Sequence, residues 1–198
     1  MEKIEIIKGA DTKKYVESIA NLRMANFRDY PYSYEGDMAL EKKYLSMYPN
    51  SKESLFVVAK DGDKVIGVIT GMPLHESDDD CTGIYLEKNI PTIGIYYVGE
   101  IIVLDKYRDH GLGHKMWKEF EKQVQGLKHF KQIVIRELEA SEKDPKKPKN
   151  YIPIDNFLKD IGFVRHPELV SYSHWKEIGA AKETKHALVN WLKPLKAA

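Results

Sequence analysis

The sequence predicts an α/β domain built on a mixed, mainly antiparallel sheet flanked by helices. β-Rich runs alternate with stretches of helical periodicity along the whole chain, and neither a repeat nor a break in composition divides it. Two of those runs, SLFVVAK and VIGVITGM, are joined through an Asp-Gly turn, the chemistry of an antiparallel hairpin. A long apolar run, IGIYYVGEIIVL (residues 93–104), then leads through two glycines, Gly111 and Gly113, into an amphipathic helix.

Taken in order, KIEIIK reads as a first strand, and Asp11 as the cap of a helix whose apolar stripe is Tyr15, Ile19, Leu22 and Phe27. DYPYSYEGD holds Pro31 and Gly36 and reads as a loop. Asp37 then caps a second helix running to about Tyr48. After the hairpin, LHESDDDCTGIYLEKNIPTI is polar and irregular and is expected to loop out before the strand at 93–104. The following helix buries Met116 or Trp117, Phe120, Val124 and Leu127. KQIVIREL is the next strand, SEKDPKKPKNYIP a long polar loop, and IDNFLKDIGF a short helix ended by Gly162. ELVSYSHWK is read as the last strand. The remainder, 181–198, is read as a C-terminal amphipathic segment whose Leu188, Val189, Trp191 and Leu192 are apolar. Of these, Leu188, Trp191 and Leu192 are available to pack on a partner, a homodimer being the simplest case.

With 198 residues the chain suits one domain, 1–198, with a core of its own. Hydrophobic residues at 42% and charged residues at 31% fit a soluble globular protein. A net charge of +1 argues against a dedicated nucleic-acid binder. The basic cluster KDPKKPK is a solvated, proline-broken loop. Cys81 is the only cysteine, so no intramolecular disulfide forms, as suits a reducing cytoplasm. The N-terminal stretch lacks the apolar core of a signal peptide, and 93–104 is too short to cross a membrane. The expectation is a cytoplasmic protein with neither a membrane nor a nucleic acid as partner.

Glycines at a strand-to-helix joint let an anion approach main-chain N–H groups at a helix N-terminus. A P-loop needs Gly-Lys-Ser/Thr, but Gly113 is followed by His114 and Lys115. A dinucleotide fingerprint needs a third glycine where Met116 stands and a tight turn off the strand, whereas six residues separate Leu104 from Gly111. Arg108-Asp109-His110-Gly111-Leu112-Gly113 instead resembles the acyl-CoA signature of the GNAT N-acetyltransferase superfamily, Arg/Gln-x-x-Gly-x-Gly/Ala. The order of predicted elements extends the resemblance over nearly the whole chain. FRDYPYSYEGD, YIPIDNFLKDIGF and SYSHWKEIG look like one branch of bacterial GNAT proteins.

The resemblance implies a GNAT-like fold with a local splay of the sheet that admits acetyl-CoA, and no metal. It implies that main-chain groups from Arg108 through Asp109, His110, Gly111, Leu112 and Gly113 to His114 hold the pyrophosphate. It implies too that Ile102, Val103 and Leu104 pair with the pantetheine arm as an added half-strand. The implied activity is transfer of an acetyl group from acetyl-CoA to an amine, of a small molecule or a peptide. The competing class is a non-catalytic acyl-CoA-binding or regulatory module.

Glu100 is the only charged residue in its strand, on the face that simple alternation shares with Val98, Ile102 and Leu104. An acid there must find a partner or raise its pKa. One outcome is a base that deprotonates the amine, and the other is an ion pair with Arg136. The resemblance favours the base, since many GNAT members place a glutamate eight residues before the signature arginine, as Glu100 is before Arg108. The family's usual acid is the tyrosine of Phe-Tyr-x-x-x-Gly-Phe, but the matching run ending Gly162-Phe163 has Leu158 after Phe157. Tyr151, just upstream, is the substitute expected to protonate the departing thiolate, and Asn156 is expected to line the CoA arm. Tyr30, Tyr32, Tyr34 and Glu35, on a loop that borders the acceptor site in this family, are expected to grip a cationic amine. HESDDDC reads as a solvated acidic loop. His110 and His114, with glycines between them, lack a third metal ligand, and Cys81 lacks a nucleophile's motif.

Overall fold

The computed structural model describes residues 2–139 and 144–195. Its strands are β1 (Glu2–Lys8), β2 (Leu55–Asp61), β3 (Lys64–Pro73), β4 (Ile95–Val103), β5 (Gln132–Leu138), β6 (Val164–Trp175) and β7 (Thr184–Pro194). They form one sheet in the order β1-β2-β3-β4-β5-β7-β6, antiparallel throughout except for the β4–β5 pair. The helices are α1 (Val16–Phe27), α2 (Met38–Leu45), α3 (Met47–Asn50), α4 (Asp79–Glu87), α5 (Leu112–Gly126) and α6 (Asp155–Asp160). The mixed, mainly antiparallel architecture is the predicted one.

Each face of the sheet buries its own core. Leu112, Met116, Trp117, Phe120 and Val124 of α5 pack with Leu158 of α6 on one face. Ile19 and Leu22 of α1, Leu45 of α2, and Cys81 and Tyr85 of α4 pack on the other. Asp37 caps α2 as expected, accepting from the Leu40 N–H at 2.9 Å. Asp11 does not cap α1, because its carboxylate takes Lys14 Nζ at 2.7 Å and the helix is entered through a 3₁₀ turn, Gly9–Tyr15. Among the described residues no helix is long and apolar enough to cross a membrane.

Three segments depart from expectation. The stretch expected to loop out, 74–93, contains α4, which is capped by Asp78 on the Cys81 N–H and buries Cys81 and Tyr85 one turn apart. Burial also pushes the Cys81 thiol up to about 12, so it is no nucleophile. The last strand is not ELVSYSHWK: β6 starts earlier, at Val164, and the C-terminal segment is itself a strand, β7, inserted between β5 and β6. Leu188 and Trp191 are therefore core residues at 6% and 2% exposure, and they offer no face to a second copy. In the polar loop, 140–143 lie outside the described residues, the start of the basic cluster included. Lys146 reaches Glu177 at 3.1 Å.

The third departure bears on the site. Thr70 pairs with Glu100 but Gly71 pairs with Val98, which leaves Gly99 as an extra residue, a bulge in β4. Alternation is reset there. Val98 faces the α5 core, whereas Ile102 and Glu100 turn to the α1–α2 face. Glu100 thus shares a face with Tyr97 rather than Val98. A Cβ on Gly99 would run into the Tyr48 hydroxyl and come within 3.0 Å of Thr70 Oγ1. Gly99→Ala should therefore lower stability by about 1–3 kcal/mol, read as a reduced denaturation midpoint at unchanged slope.

Candidate active site

β4 pairs with β3 along its length, but with β5 only from Ile95↔Gln132 to Val98↔Ile135. Beyond that point β5 continues beside β7, with Glu137↔Val189 and Leu138↔Leu188. The two parallel strands splay apart, and among the described residues the β4 edge from Gly99 onward has no strand partner on that side. An extended chain can add to such an edge through main-chain hydrogen bonds. Ile102 has its side chain in the core, Val103 and Leu104 are half-buried, and the Leu104 N–H donates to the Ile66 carbonyl at 2.9 Å on the β3 side.

A 3₁₀ turn, Asp105–Tyr107, leads from the open edge to the glycine motif. Arg108 folds back, donating from Nε to the Val103 carbonyl at 2.8 Å and from Nη2 to Asn26 at 2.9 Å, with Asp105 at 2.9 Å from Nη1. Gly111 adopts the left-handed conformation, φ 76°, just before α5, and Asp109 does so at φ 62°. The first N–H groups of α5 have no intrahelical acceptor and carry the positive end of the helix dipole. Leu112 is anchored in the core, while Asp109, His110 and His114 are exposed. A Cβ on Gly113 would stand 3.3 Å from the Phe157 ring, against which His114 also packs at 4.9 Å. The motif and α6 therefore meet at this point, with Asn156 exposed on α6. A side chain at Gly113 would crowd Phe157, and one at Gly111 would be strained by its left-handed φ.

Glu100, at 1% exposure, is satisfied by partners the sequence did not predict. Arg23 of α1 donates from Nη1 to one carboxylate oxygen, and Thr70 donates its hydroxyl to the other. Arg23 also holds Glu41 of α2 at 2.5 Å through Nε. Burial opposes the Arg23 charge, but Glu100 and Glu41 outweigh it and hold the guanidinium protonated. The expected pair with Arg136 is not made. Arg136 points to the α4 side of β5, donating to the Asp80 carbonyl at 3.0 Å and approaching the Tyr97 hydroxyl at 3.4 Å. A sequence signal for Arg23 and Glu41 did exist. Arg23 lies midway between Ile19 and Phe27 on the stripe of α1, and Glu41 lies one turn before Leu45.

The loop between α1 and α2 is tied to the β6–β7 connection. Glu35 N–H donates to Lys176 O at 2.9 Å, Ile178 N–H to Ser33 O at 2.8 Å, and Trp175 Nε1 to Tyr32 O at 3.0 Å. An aromatic wall results: Phe27 against Tyr32 at 4.6 Å, Tyr32 against Trp175 at 5.8 Å, and Tyr30 edge-on to Tyr151 at 4.8 Å. Tyr30, Tyr32 and Tyr151 are thus brought together. Tyr34 and Glu35 have other neighbours. Burial, with Glu41 beside it, pushes the Tyr34 hydroxyl to about 12, and Glu35 is engaged by Lys176 at 2.6 Å. Burial likewise pushes Tyr151 to about 12, with Glu137 adding to the shift. Glu137, which sequence reasoning passed over as an ordinary strand residue, is half-buried beyond the last β4–β5 pair.

The acetyltransferase (GNAT) family model matches residues 16–143. No curated protein matches the chain. Among solved structures, the chain is similar to NAA60 of Arabidopsis thaliana in complex with a bisubstrate analogue, at 12% identity, TM-score 0.59, over 99% of this chain and 100% of that one. It is similar to the ribosomal-protein-S18-alanine N-acetyltransferase of Escherichia coli at 11% identity and TM-score 0.58, over 100% and 96% of the two chains. An acyl-CoA N-acyltransferase of Pseudomonas aeruginosa matches at 10% identity and TM-score 0.58, over 96% and 99%. At these identities the structural matches establish the fold, and the family model establishes the lineage. The chain belongs to the GNAT acetyltransferase family.

Proposed function

We propose that the protein transfers an acetyl group from acetyl-CoA to an amine, of a small molecule or of a peptide, in the cytoplasm. The observation that carries this is the edge of β4, unpaired among the described residues, followed within nine residues by the glycine-opened N-terminus of α5. One surface offers main-chain hydrogen bonds to an amide-bearing arm, and the other offers N–H groups to a pyrophosphate. The acceptor enters from the α1–α2 side of the sheet, where Arg23 and Glu41 stand beside Glu100. The Arg23–Glu41–Glu100 cluster, with two acids against one base, favours an ammonium there. Glu100 removes a proton from that ammonium, through a bridging water because its carboxylate is enclosed.

Acetyl-CoA should raise the melting temperature, since a ligand that binds only the folded chain stabilises it by mass action. Gly113→Leu, which crowds Phe157, and Gly111→Val, which strains a left-handed position, should each abolish that shift. A full shift in both variants would rule out the pyrophosphate assignment. Release of free thiol from acetyl-CoA in the presence of amines separates an enzyme from a module that only binds CoA.

A further inference from the structure

We propose that Glu137 is the general acid of the reaction, the group that protonates the departing thiolate. This rests on the acetyl-transfer reading above and supplies the role that Leu158 leaves vacant. Glu137 stands on β5 two residues past Ile135, the last residue paired with β4, and so on the lip of the splay opposite Glu100. Strand alternation turns it to the face of Ile133 and Ile135, which is the face covered by α5 and α6. Glu100 faces the other way, towards α1 and α2. The two carboxyl groups thus flank the splay from opposite faces, as a base on the acceptor side and an acid on the sulfur side require.

The surroundings of Glu137 suit an acid. Asp155 of α6, Tyr151 of the preceding loop and Tyr32 of the α1–α2 loop are the titratable groups that face it. Among the described residues its carboxyl has no ion-pair partner. Burial, reinforced by Asp155, raises it to about 8, so it is mostly protonated at neutral pH. A CoA-type thiol has a pKa near ~8.5, and proton transfer between matched groups is efficient. Tyr151, pushed to about 12, is a far weaker donor to the same sulfur. Its ring packs edge-on against Tyr30 at 4.8 Å.

The step balances as follows. The amine, having lost one proton to Glu100, attacks the thioester carbonyl carbon through its nitrogen lone pair. As the carbonyl re-forms, the C–S bond breaks and sulfur leaves with the electron pair. The Glu137 O–H proton goes to that sulfur, giving free thiol and a carboxylate. The second proton, lost by the amide nitrogen, restores Glu137, and the first passes from Glu100 to solvent.

The test compares wild type, Glu137→Gln and Tyr151→Phe across pH. Acetyl-CoA is the donor, and butylamine, putrescine and trialanine are the acceptors, with thiol release as the readout. Deprotonation of the amine makes the rate rise with pH, so a fall at alkaline pH reports an acid on the protein. Wild type and Tyr151→Phe should lose kcat as pH rises through about 8. Glu137→Gln, a neutral isostere of a neutral acid, should keep its melting temperature and its acetyl-CoA shift. It should turn over roughly ten to a hundredfold more slowly and show no alkaline limb. Infrared difference spectra should show a protonated carboxyl that titrates near that pH in wild type and is missing from Glu137→Gln. An alkaline limb retained in Glu137→Gln, or a carboxyl that ionises below pH 6, would overturn the assignment while leaving acetyl transfer intact. Wild type that binds acetyl-CoA but releases no thiol with any of the three amines would overturn both.

Discussion

Glu100→Gln should leave the protein folded and its acetyl-CoA shift unchanged, while thiol release falls by roughly a hundredfold or more. The glutamine oxygen can still accept from Arg23 Nη1, the Thr70 hydroxyl can rotate to accept from the new amide, and the Tyr48 hydroxyl, 3.4 Å from the carboxylate, keeps Thr70 Oγ1 at 3.1 Å. What the variant loses is basicity. A structural role and a catalytic one therefore separate cleanly at this position, because a pure ion-pair residue would show the opposite pattern. Turnover near wild type with a lowered denaturation midpoint would remove Glu100 from the mechanism and leave it as an anchor for α1.

Arg23→Met carries the largest expected loss of stability, about 3–5 kcal/mol, the usual cost of removing one member of a buried ionic cluster. Glu41, at 3% exposure, and Glu100, at 1%, would then face each other without a cation. The guanidinium also lies 4.4 Å over the Tyr44 ring and 5.0 Å from that of Phe27, contacts that methionine replaces only in part. Arg23→Lys should recover part of the loss, since one ammonium cannot bridge both carboxylates in the fork geometry of a guanidinium. Chemical denaturation of the three proteins measures this directly. A loss below about 1 kcal/mol for Arg23→Met, typical of exposed pairs, would mean that solvent reaches the cluster in the folded state.

Local chemistry was enough to predict the hairpin at Asp61 and Gly62, the cap at Asp37, the amphipathic face of α5 and the glycine-opened joint that leads into it. Each is encoded within a few residues, by a turn's demand for glycine, a side chain that reaches a nearby N–H, or a 3.6-residue period. The isolated acid at Glu100 was visible for the same reason. Its partner was not, because Arg23 is 77 residues away and is placed only when α1 packs across β4. The bulge at Gly99 follows from β4's register against β3, which no alternation along one strand contains. The segment that became β7 carries apolar residues at spacings both periods allow, and insertion between β5 and β6 decides for a strand. Tyr30, Tyr32, Tyr151 and Glu137 come from three separated stretches and become neighbours only in the folded chain. Residue types and short spacings settle what a segment can form. Which acid meets which base depends on long-range packing, whose energy belongs to pairs of surfaces and not to either stretch of chain alone.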